Sequence, residues 1–206
     1  MIDLYAAPTA NGLRASIVLE ECGVPYKLHP IDLAKGEHKS PDFLGRNPFG
    51  QIPVIVDNDG PGGKKVTLAQ SSAIMLYIAE KTGKFMPKDP AKRATTIAAL
   101  FNATADVGAT LGSIFTIARS KEPHKPSQEL FEGRWKGYLE AWDGILAKQK
   151  YAGCDELTVA DFGLYAVLGR AKGVMPNLVS GFPNIERWMN EMAARPGTQK
   201  GMAFKQ

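Results

Sequence analysis

The sequence predicts an α/β domain followed by an all-helical domain. Within about the first 80 residues, short apolar segments that alternate like β-strands are interleaved with helical segments and turn clusters. After a proline-containing stretch at residues 85–90 no convincing strand pattern occurs, and the remaining apolar residues have helical spacing. We therefore predict an N-terminal domain at residues 1–83, a linker at residues 84–89 and a helical C-terminal domain at residues 90–206.

The first three predicted elements form a strand–helix–strand unit. Residues 1–6 alternate weakly and indicate a strand, whereas residues 13–22 have helical spacing and end at Gly23, a typical C-terminal cap. Residues 26–33 alternate again and predict a second strand. Two strands joined by a helix in so short a span predict a parallel βαβ unit with a right-handed crossover.

Two more strands and a helix complete the predicted N-terminal domain. The apolar run at residues 54–56 predicts a buried strand, and residues 66–68 predict a short return strand after a glycine-rich turn. The strongly apolar segment at residues 73–81 predicts a helix, with Ser71 or Ser72 as its cap.

The C-terminal half is predicted to consist of helices. Helical spacing places them at residues 91–118, 128–150, 159–171 and 182–193. Gly108 and Gly112 would allow a kink or close packing in the first of these helices. Thr158 and Asp161 begin the third helix with a capping box, which we interpret as structural rather than catalytic.

Composition and charge exclude several classes of function. The chain has 206 residues, a net charge of +4, and 44% hydrophobic residues, as in ordinary soluble globular proteins. Its three histidines lack metal-ligand spacing, and Cys22 and Cys154 form no C-x-x-C pair, so we expect no metal. Scattered basic residues argue against nucleic acid, and we expect no membrane span, no signal peptide and a cytoplasmic protein. The mild positive charge favours a small anionic ligand.

Pro53 stands at the entrance of the predicted strand at residues 54–56. Proline removes a ladder hydrogen bond and is normally confined to strand starts, bulges and edges. If the Ile52–Pro53 bond is cis, the N–H and C=O of Ile52 face outward and can pair with an extended peptide. The alternative is an ordinary strand that begins with proline.

Three motifs occur in order along nearly the whole chain. They are Gln51-Ile52-Pro53, Gln70-Ser71-Ser72 and Thr158-Val159-Ala160-Asp161. Together they resemble the cytosolic glutathione transferases, and the opening segment YAAPTANG at residues 5–12 is similar to that of the bacterial Nu class. This resemblance implies a thioredoxin-like N-terminal domain followed by an all-helical glutathione-transferase C-terminal domain.

The resemblance also implies that the bound peptide is glutathione, which carries two carboxylates, one ammonium and one thiol. Ile52 and Pro53 would then pair with its cysteinyl backbone. Gln70 and Ser71 would bind the γ-glutamyl carboxylate, because N–H groups, a hydroxyl and the helix dipole meet where that helix begins. The alternative is that Ser71 only caps the helix.

The resemblance further implies that Thr9 and Asn11 are the catalytic residues that hold the glutathione sulfur. Both lie at the turn into the first helix, where donors and the helix N-terminus favour the reactive thiolate. Alternatively, they serve only as turn and cap residues. Tyr5 is the rival sulfur donor, although we favour a strand tyrosine with a local partner.

Weaker contacts complete the expected site. His38 and Gln51 would reach the glycyl carboxylate, and Arg134 matches a basic position that can reach glutathione in this class. A solvated surface role is the alternative for His38 and Arg134. A second-substrate pocket is expected between the two halves, and its candidate residues are Tyr5, Asn102, Thr104 and Phe115.

The absence of cysteine from residues 9–14 bears on mechanism, since any disulfide reduction would then draw its electrons from glutathione by thiol–disulfide exchange. Resemblance to the Nu class implies such a disulfide reductase, with some conjugation activity, glutathione as co-substrate and a homodimeric assembly. Two alternatives stay open. One is a transferase or lyase acting on an electrophile such as an aryl ether or halide, and the other is a non-catalytic glutathione-binding regulatory protein.

Overall fold

The computed structural model describes residues 1–204, which belong to two compact units. Of these residues, 1–84 and 194–204 form the first unit, and 85–193 form the second. The first unit is therefore formed by two separate stretches of the chain.

A four-stranded mixed sheet with strand order β2-β1-β3-β4 forms the centre of the first unit. Its strands are β1 (Ile2–Ala6), β2 (Tyr26–Pro30), β3 (Val54–Asp57) and β4 (Val66–Ala69). β1 and β2 pair in parallel, with Leu4 opposite Leu28, which confirms the predicted βαβ unit. β3 runs antiparallel to both β1 and β4, so the predicted return strand is confirmed as well.

Two helices of the first unit, α1 (Ala10–Cys22) and α3 (Ser71–Thr82), pack against each other. A short helix, α2 (Pro41–Arg46), lies between β2 and β3 along the chain. α1 begins earlier than predicted, with Thr9 as its N-cap. The N-cap of α3 is Gln70, with a φ of 73° and no side-chain capping bond, so the prediction of a serine cap was wrong.

The last helix, α9 (Pro196–Ala203), was not predicted as a separate element and packs on α1. Gly201 lies so close to α1 that a Cβ atom there would be 2.5 Å from the Ile17 Cα. The Glu21 carboxylate accepts hydrogen bonds from the N–H and the hydroxyl of Thr198, at 2.8 and 2.7 Å. These contacts place the last helix in the first unit, whereas the second unit covers residues 85–193. The predicted domain bounds stay a prediction.

The second unit is helical throughout its regular elements. Its helices are α4 (Pro90–Phe101), α5 (Gly108–Ala118), α6 (Lys125–Leu146), α7 (Val159–Val174) and α8 (Pro183–Ala193). A π-helical stretch, Asn102–Val107, joins α4 to α5, so the long predicted helix changes its winding just before Gly108.

The combined helix Pro90–Ala118 is long and apolar enough to cross a membrane by length and composition alone, with a mean hydropathy of 1.3. Length and composition alone do not test the expectation that no part of the chain spans a membrane. In the structure α4 packs against α7, and α5 packs against α6. The same apolar composition is typical of a core helix in a globular unit.

Asp161 organises the core of the second unit. The Thr158 N–H donates to its carboxylate at 2.9 Å, which confirms the predicted capping box. The Ala152 N–H and the Trp188 indole donate to the same carboxylate at 2.7 and 3.0 Å. Burial raises the pKa of Asp161, and these donors oppose that effect. Asp161 therefore has a structural role, as predicted.

Candidate functional site

One cavity of the first unit brings together most of the predicted site residues. It has a volume of about 390 Å³ and lies where the N-termini of α1 and α3 approach the loop before β3. Its lining consists of Thr9, Asn11, Leu33, His38, Lys39, Asn47, Gly50, Gln51, Ile52, Gln70 and Ser71. No acidic side chain is among these residues, whereas basic ones are, so the lining favours an anionic ligand.

The N-terminus of α1 forms one wall of the cavity. The Thr9 hydroxyl accepts a hydrogen bond from the Gly12 N–H at 3.2 Å, which leaves its own proton free to donate. Within residues 1–204, the N–H groups of Ala10 and Asn11 have no acceptor. Gly12 is required because a Cβ there would be 2.0 Å from the Ala7 carbonyl oxygen. The helix start thus offers several donors and a positive dipole to an anion.

The loop before β3 forms a second wall. Its Ile52–Pro53 bond is cis, and no group in the described part of the chain pairs with the N–H or C=O of Ile52. Asn47, only 3% exposed, holds this loop. Its Nδ2 donates to the Gln51 carbonyl at 2.7 Å, and its Oδ1 accepts from the Phe49 N–H at 3.2 Å. The unpaired main chain of Ile52 is an edge to which an extended peptide can add.

A buried guanidinium joins Asn11 to Ser71. Nη1 of Arg14, which is 2% exposed, donates to Asn11 Oδ1 at 2.6 Å and to Ser71 Oγ at 3.2 Å. Burial lowers the pKa of Arg14 to about 10, which leaves it charged at neutral pH. Gln70, in contrast, is an exposed residue of the cavity lining. Arg14 was not predicted, because its only visible signal is a charged residue between Leu13 and Ala15 in the first half of α1.

His38 and Lys39 supply the basic side chains of the cavity. The His38 Nδ1 is buried and has no hydrogen-bond partner within residues 1–204. The Lys39 ammonium donates to the Phe49 carbonyl at 3.2 Å. Gly50 has a φ of 58°, and a Cβ there would be 2.9 Å from the His38 carbonyl oxygen, so the backbone at this position favours glycine. His38 was predicted from the sequence, whereas the adjacent Lys39 and Asn47 were not.

Tyr5 is not among the residues that line this cavity. Its ring stacks on His29 with 4.5 Å between centroids, and the Arg46 guanidinium lies 4.6 Å from its ring centroid. The pKa of Arg46 is raised, chiefly by its hydrogen bond with Asp42 and also by Tyr5. These contacts favour the interpretation of Tyr5 as a strand residue with local partners.

Four further candidates lie in the second unit: Arg134, Asn102, Thr104 and Phe115. Arg134 is exposed on α6, with its guanidinium 5.5 Å from the Phe131 ring centroid. Asn102 lines another cavity of about 630 Å³, where its Oδ1 accepts from the Trp142 indole at 2.9 Å. Thr104 and Phe115 are half-buried. Their parts in ligand binding stay predictions.

A group of potential metal ligands occurs in the second unit. Three consecutive side chains of the second unit, Cys154, Asp155 and Glu156, place their ligand atoms within 4.8 Å of one another. Asp155 already pairs with Lys92 at 2.8 Å, and both acidic residues are exposed. None of the three lines the cavity of the first unit.

Comparison with known protein families gives two matches along the chain. The family model described as glutathione S-transferase, N-terminal domain matches residues 1–80. The model described as glutathione S-transferase, C-terminal domain matches residues 104–196. The first match contains every residue of the cavity lining.

Individual relatives cover nearly the whole chain. The disulfide-bond oxidoreductase YfcG of Escherichia coli (strain K12) is 30% identical over 204 residues, 98% of this chain and 94% of the relative. A glutathione transferase family member from Pseudomonas fluorescens, solved with two glutathione bound, has a TM-score of 0.93 and 28% identity, covering 98% of this chain and 92% of that one. A glutathione transferase from Pseudomonas putida, with one glutathione disulfide bound per subunit, has a TM-score of 0.91 and 28% identity, with coverages of 98% and 90%.

Proposed function

The chain belongs to the glutathione S-transferase family and is a glutathione-dependent enzyme, and from this premise we propose that it reduces disulfides with glutathione. The observation that carries the proposal is a single cavity that combines the donors at the start of α1, the unpaired Ile52 backbone and Ser71. The named activity of YfcG and the glutathione disulfide in the Pseudomonas putida structure support the same chemistry.

The start of α1 is the proposed position of the glutathione sulfur. A thiolate is a far better nucleophile than a thiol, so a site that lowers the thiol pKa accelerates the reaction. Hydrogen bonds to the charged form lower a pKa, and the Thr9 hydroxyl and Asn11 amide can both donate here. Neither residue carries a charge, so in this proposal the sulfur is stabilised by dipoles and hydrogen bonds.

The remaining groups of glutathione have complementary partners in the cavity. We propose that its cysteinyl main chain pairs with Ile52 and that its γ-glutamyl carboxylate binds Ser71 and Gln70 at the start of α3. The glycyl carboxylate would then face the basic side chains of His38 and Lys39, with Gln51 nearby in the lining. We also propose that Arg134 contacts glutathione. The proposed second-substrate residues are Tyr5, Asn102, Thr104 and Phe115.

The electrons of the reaction would come from glutathione alone. No cysteine lines the cavity, and Cys22 is buried on α1, where burial raises the pKa of its thiol. In the first step, a glutathione thiolate attacks one sulfur of the disulfide, forming a mixed disulfide and expelling a substrate thiolate. In the second, another glutathione thiolate attacks the glutathione sulfur of this mixed disulfide, which releases glutathione disulfide and the second substrate thiolate. The protons of the two glutathione thiols end on the two product thiols.

Several finer features follow from family membership as proposals. We propose a Nu-class enzyme that acts as a homodimer in the cytoplasm, without nucleic-acid or membrane partners, and in which residues 84–89 link two domains. The similarity to YfcG across nearly the whole length of both chains supports the class. Conjugation of glutathione to an electrophile would use the same thiolate and differ only in the second pocket.

A paired assay tests the proposed function. With purified protein and glutathione, we expect a small disulfide to be reduced with a higher kcat/KM than that for attack on an activated aryl halide. Two glutathiones should be consumed for each disulfide. Cys22→Ser is the matched control and should retain full activity, because that thiol lies outside the cavity lining. Attack on the aryl halide without disulfide reduction would instead indicate a conjugating transferase, and binding without turnover would indicate a regulatory protein.

A further inference from the structure

We propose that Arg14 is a positioning residue that sets the hydrogen-bonding direction of two cavity groups, the Asn11 amide and the Ser71 hydroxyl. Arg14 is 2% exposed and is not part of the cavity lining, so it would act on a ligand through neighbouring groups and not by direct contact. The inference rests on the proposed function, because it matters only if glutathione places its sulfur at Asn11 and a carboxylate at Ser71.

The Asn11 amide can face Arg14 in only one way. A guanidinium has donors but no acceptor, so the atom 2.6 Å from Arg14 Nη1 must be the amide oxygen of Asn11. The amide is planar, and its NH₂ group is therefore directed away from the oxygen that Arg14 holds. Within residues 1–204 this NH₂ group has no acceptor, while Asn11 lines the cavity. Arg14 thus leaves Asn11 as a donor toward the ligand.

The same logic applies to Ser71. Its Oγ accepts from Arg14 Nη1 at 3.2 Å, so the single hydroxyl proton is available to another acceptor. Ser71 is the first residue of α3 and is 6% exposed, which restricts where that proton can point. One nitrogen of Arg14 therefore presents both neighbours to the cavity as donors, which is the polarity that a thiolate and a carboxylate require.

The geometry also distinguishes arginine from lysine at this position. Both contacts come from Nη1, whose two N–H bonds lie in the plane of a rigid guanidinium. A lysine at position 14 would keep the positive charge but would hold its donors on a flexible stem. If Arg14 acts by direction rather than by charge, Arg14→Lys should not restore its effect.

A double-mutant cycle on the thiol pKa of bound glutathione tests the inference. The thiolate is followed by its ultraviolet absorbance against pH in the wild type, Arg14→Met, Asn11→Ala and the double variant. We expect Arg14→Met to raise this pKa by about one unit, a tenfold change in the ionisation constant. In the Asn11→Ala background the same substitution should produce little further shift. Equal shifts in both backgrounds, or full restoration by Arg14→Lys, would overturn the inference.

The wild-type arm separates the two proposals. If wild-type protein does not bind glutathione or does not lower its thiol pKa, the proposed function fails. If it does both and the cycle is additive, only the inference about Arg14 fails. A parallel cycle with Ser71→Ala, measured as glutathione affinity, should be non-additive in the same way.

A measurement on the wild type keeps the inference testable even if Arg14 variants do not fold. The side-chain NH₂ signals of Asn11 can be assigned by NMR through their absence in Asn11→Asp. With glutathione bound, these signals should shift in step with the thiol titration, because the NH₂ group faces the sulfur. NH₂ signals that stay constant while the thiol titrates would show that Asn11 does not donate to the sulfur and would overturn the inference.

Discussion

Replacing Asn47 by alanine removes the side chain that holds the loop carrying Ile52. Two hydrogen bonds are lost, one to the Gln51 carbonyl at 2.7 Å and one from the Phe49 N–H at 3.2 Å. Each intramolecular hydrogen bond contributes about 0.5–1.5 kcal/mol net, so the upper limit is about 3 kcal/mol. Because Gln51 and Phe49 are exposed and their freed groups can bind water, we expect a loss of about 1–2 kcal/mol.

Asn47→Ala should also weaken glutathione binding, and by more than its loss of folding stability alone would explain. Placement of the Ile52 edge depends on this loop, and about 1.4 kcal/mol corresponds to a tenfold change in affinity. Urea unfolding gives the change in stability, and titration calorimetry gives the glutathione affinity. Asn58→Ala is the matched control, since Asn58 also donates two hydrogen bonds, to the Met1 carbonyl and to Asp3. If Asn47→Ala and Asn58→Ala weaken binding equally, or Asn47→Ala leaves it unchanged, the reasoning about this loop is refuted.

Two further predictions concern stability. Gly201→Ala should destabilise the fold by about 1–3 kcal/mol, because its Cβ would lie 2.5 Å from the Ile17 Cα, whereas Gly112→Ala, with open space around it, should be neutral or stabilising in thermal unfolding. Burial opposes ionisation of Asp57, but hydrogen bonds from Lys81, Tyr77 and the Asp59 N–H outweigh it and lower its pKa in the folded state. Asp57→Asn should therefore destabilise the protein fully above the unfolded-state pKa of about 3.9. Its effect should shrink as the pH falls through the lower folded-state pKa. A difference in urea unfolding between the two proteins that does not change with pH would contradict this.

The residues that could be predicted from the sequence are those whose role leaves a pattern in the neighbouring residues. Thr9 and Asn11 lie in a turn cluster before a helix, and Ile52–Pro53 stands before an apolar strand. These local patterns left structural alternatives open, and the resemblance to the glutathione transferases selected the binding role. The structure places these residues in one cavity lining, except for Pro53. Their roles toward glutathione remain part of the proposed function.

Residues whose part depends on distant contacts could not be predicted. Arg14 reaches Ser71 across 57 positions of sequence, and Lys39 meets the loop at Phe49 only after folding. The docking of α9 on α1 depends on the pairing of Gly201 with Ile17, which no local pattern reveals. The N-cap of α3 was misassigned for a similar reason, because Gln70 adopts a positive φ that its residue type does not favour.

The central claim is that Thr9 and Asn11 stabilise the thiolate of bound glutathione, and the thiol pKa in the complex tests it most directly. We predict that wild-type protein binds glutathione with a thiol pKa below that of the free tripeptide. Replacing Thr9 and Asn11 together by alanine should raise this pKa toward the free value, while Tyr5→Phe should leave it unchanged, since Tyr5 is outside the cavity lining. A thiolate titration that is unaffected by the double replacement but shifted by Tyr5→Phe would contradict the account.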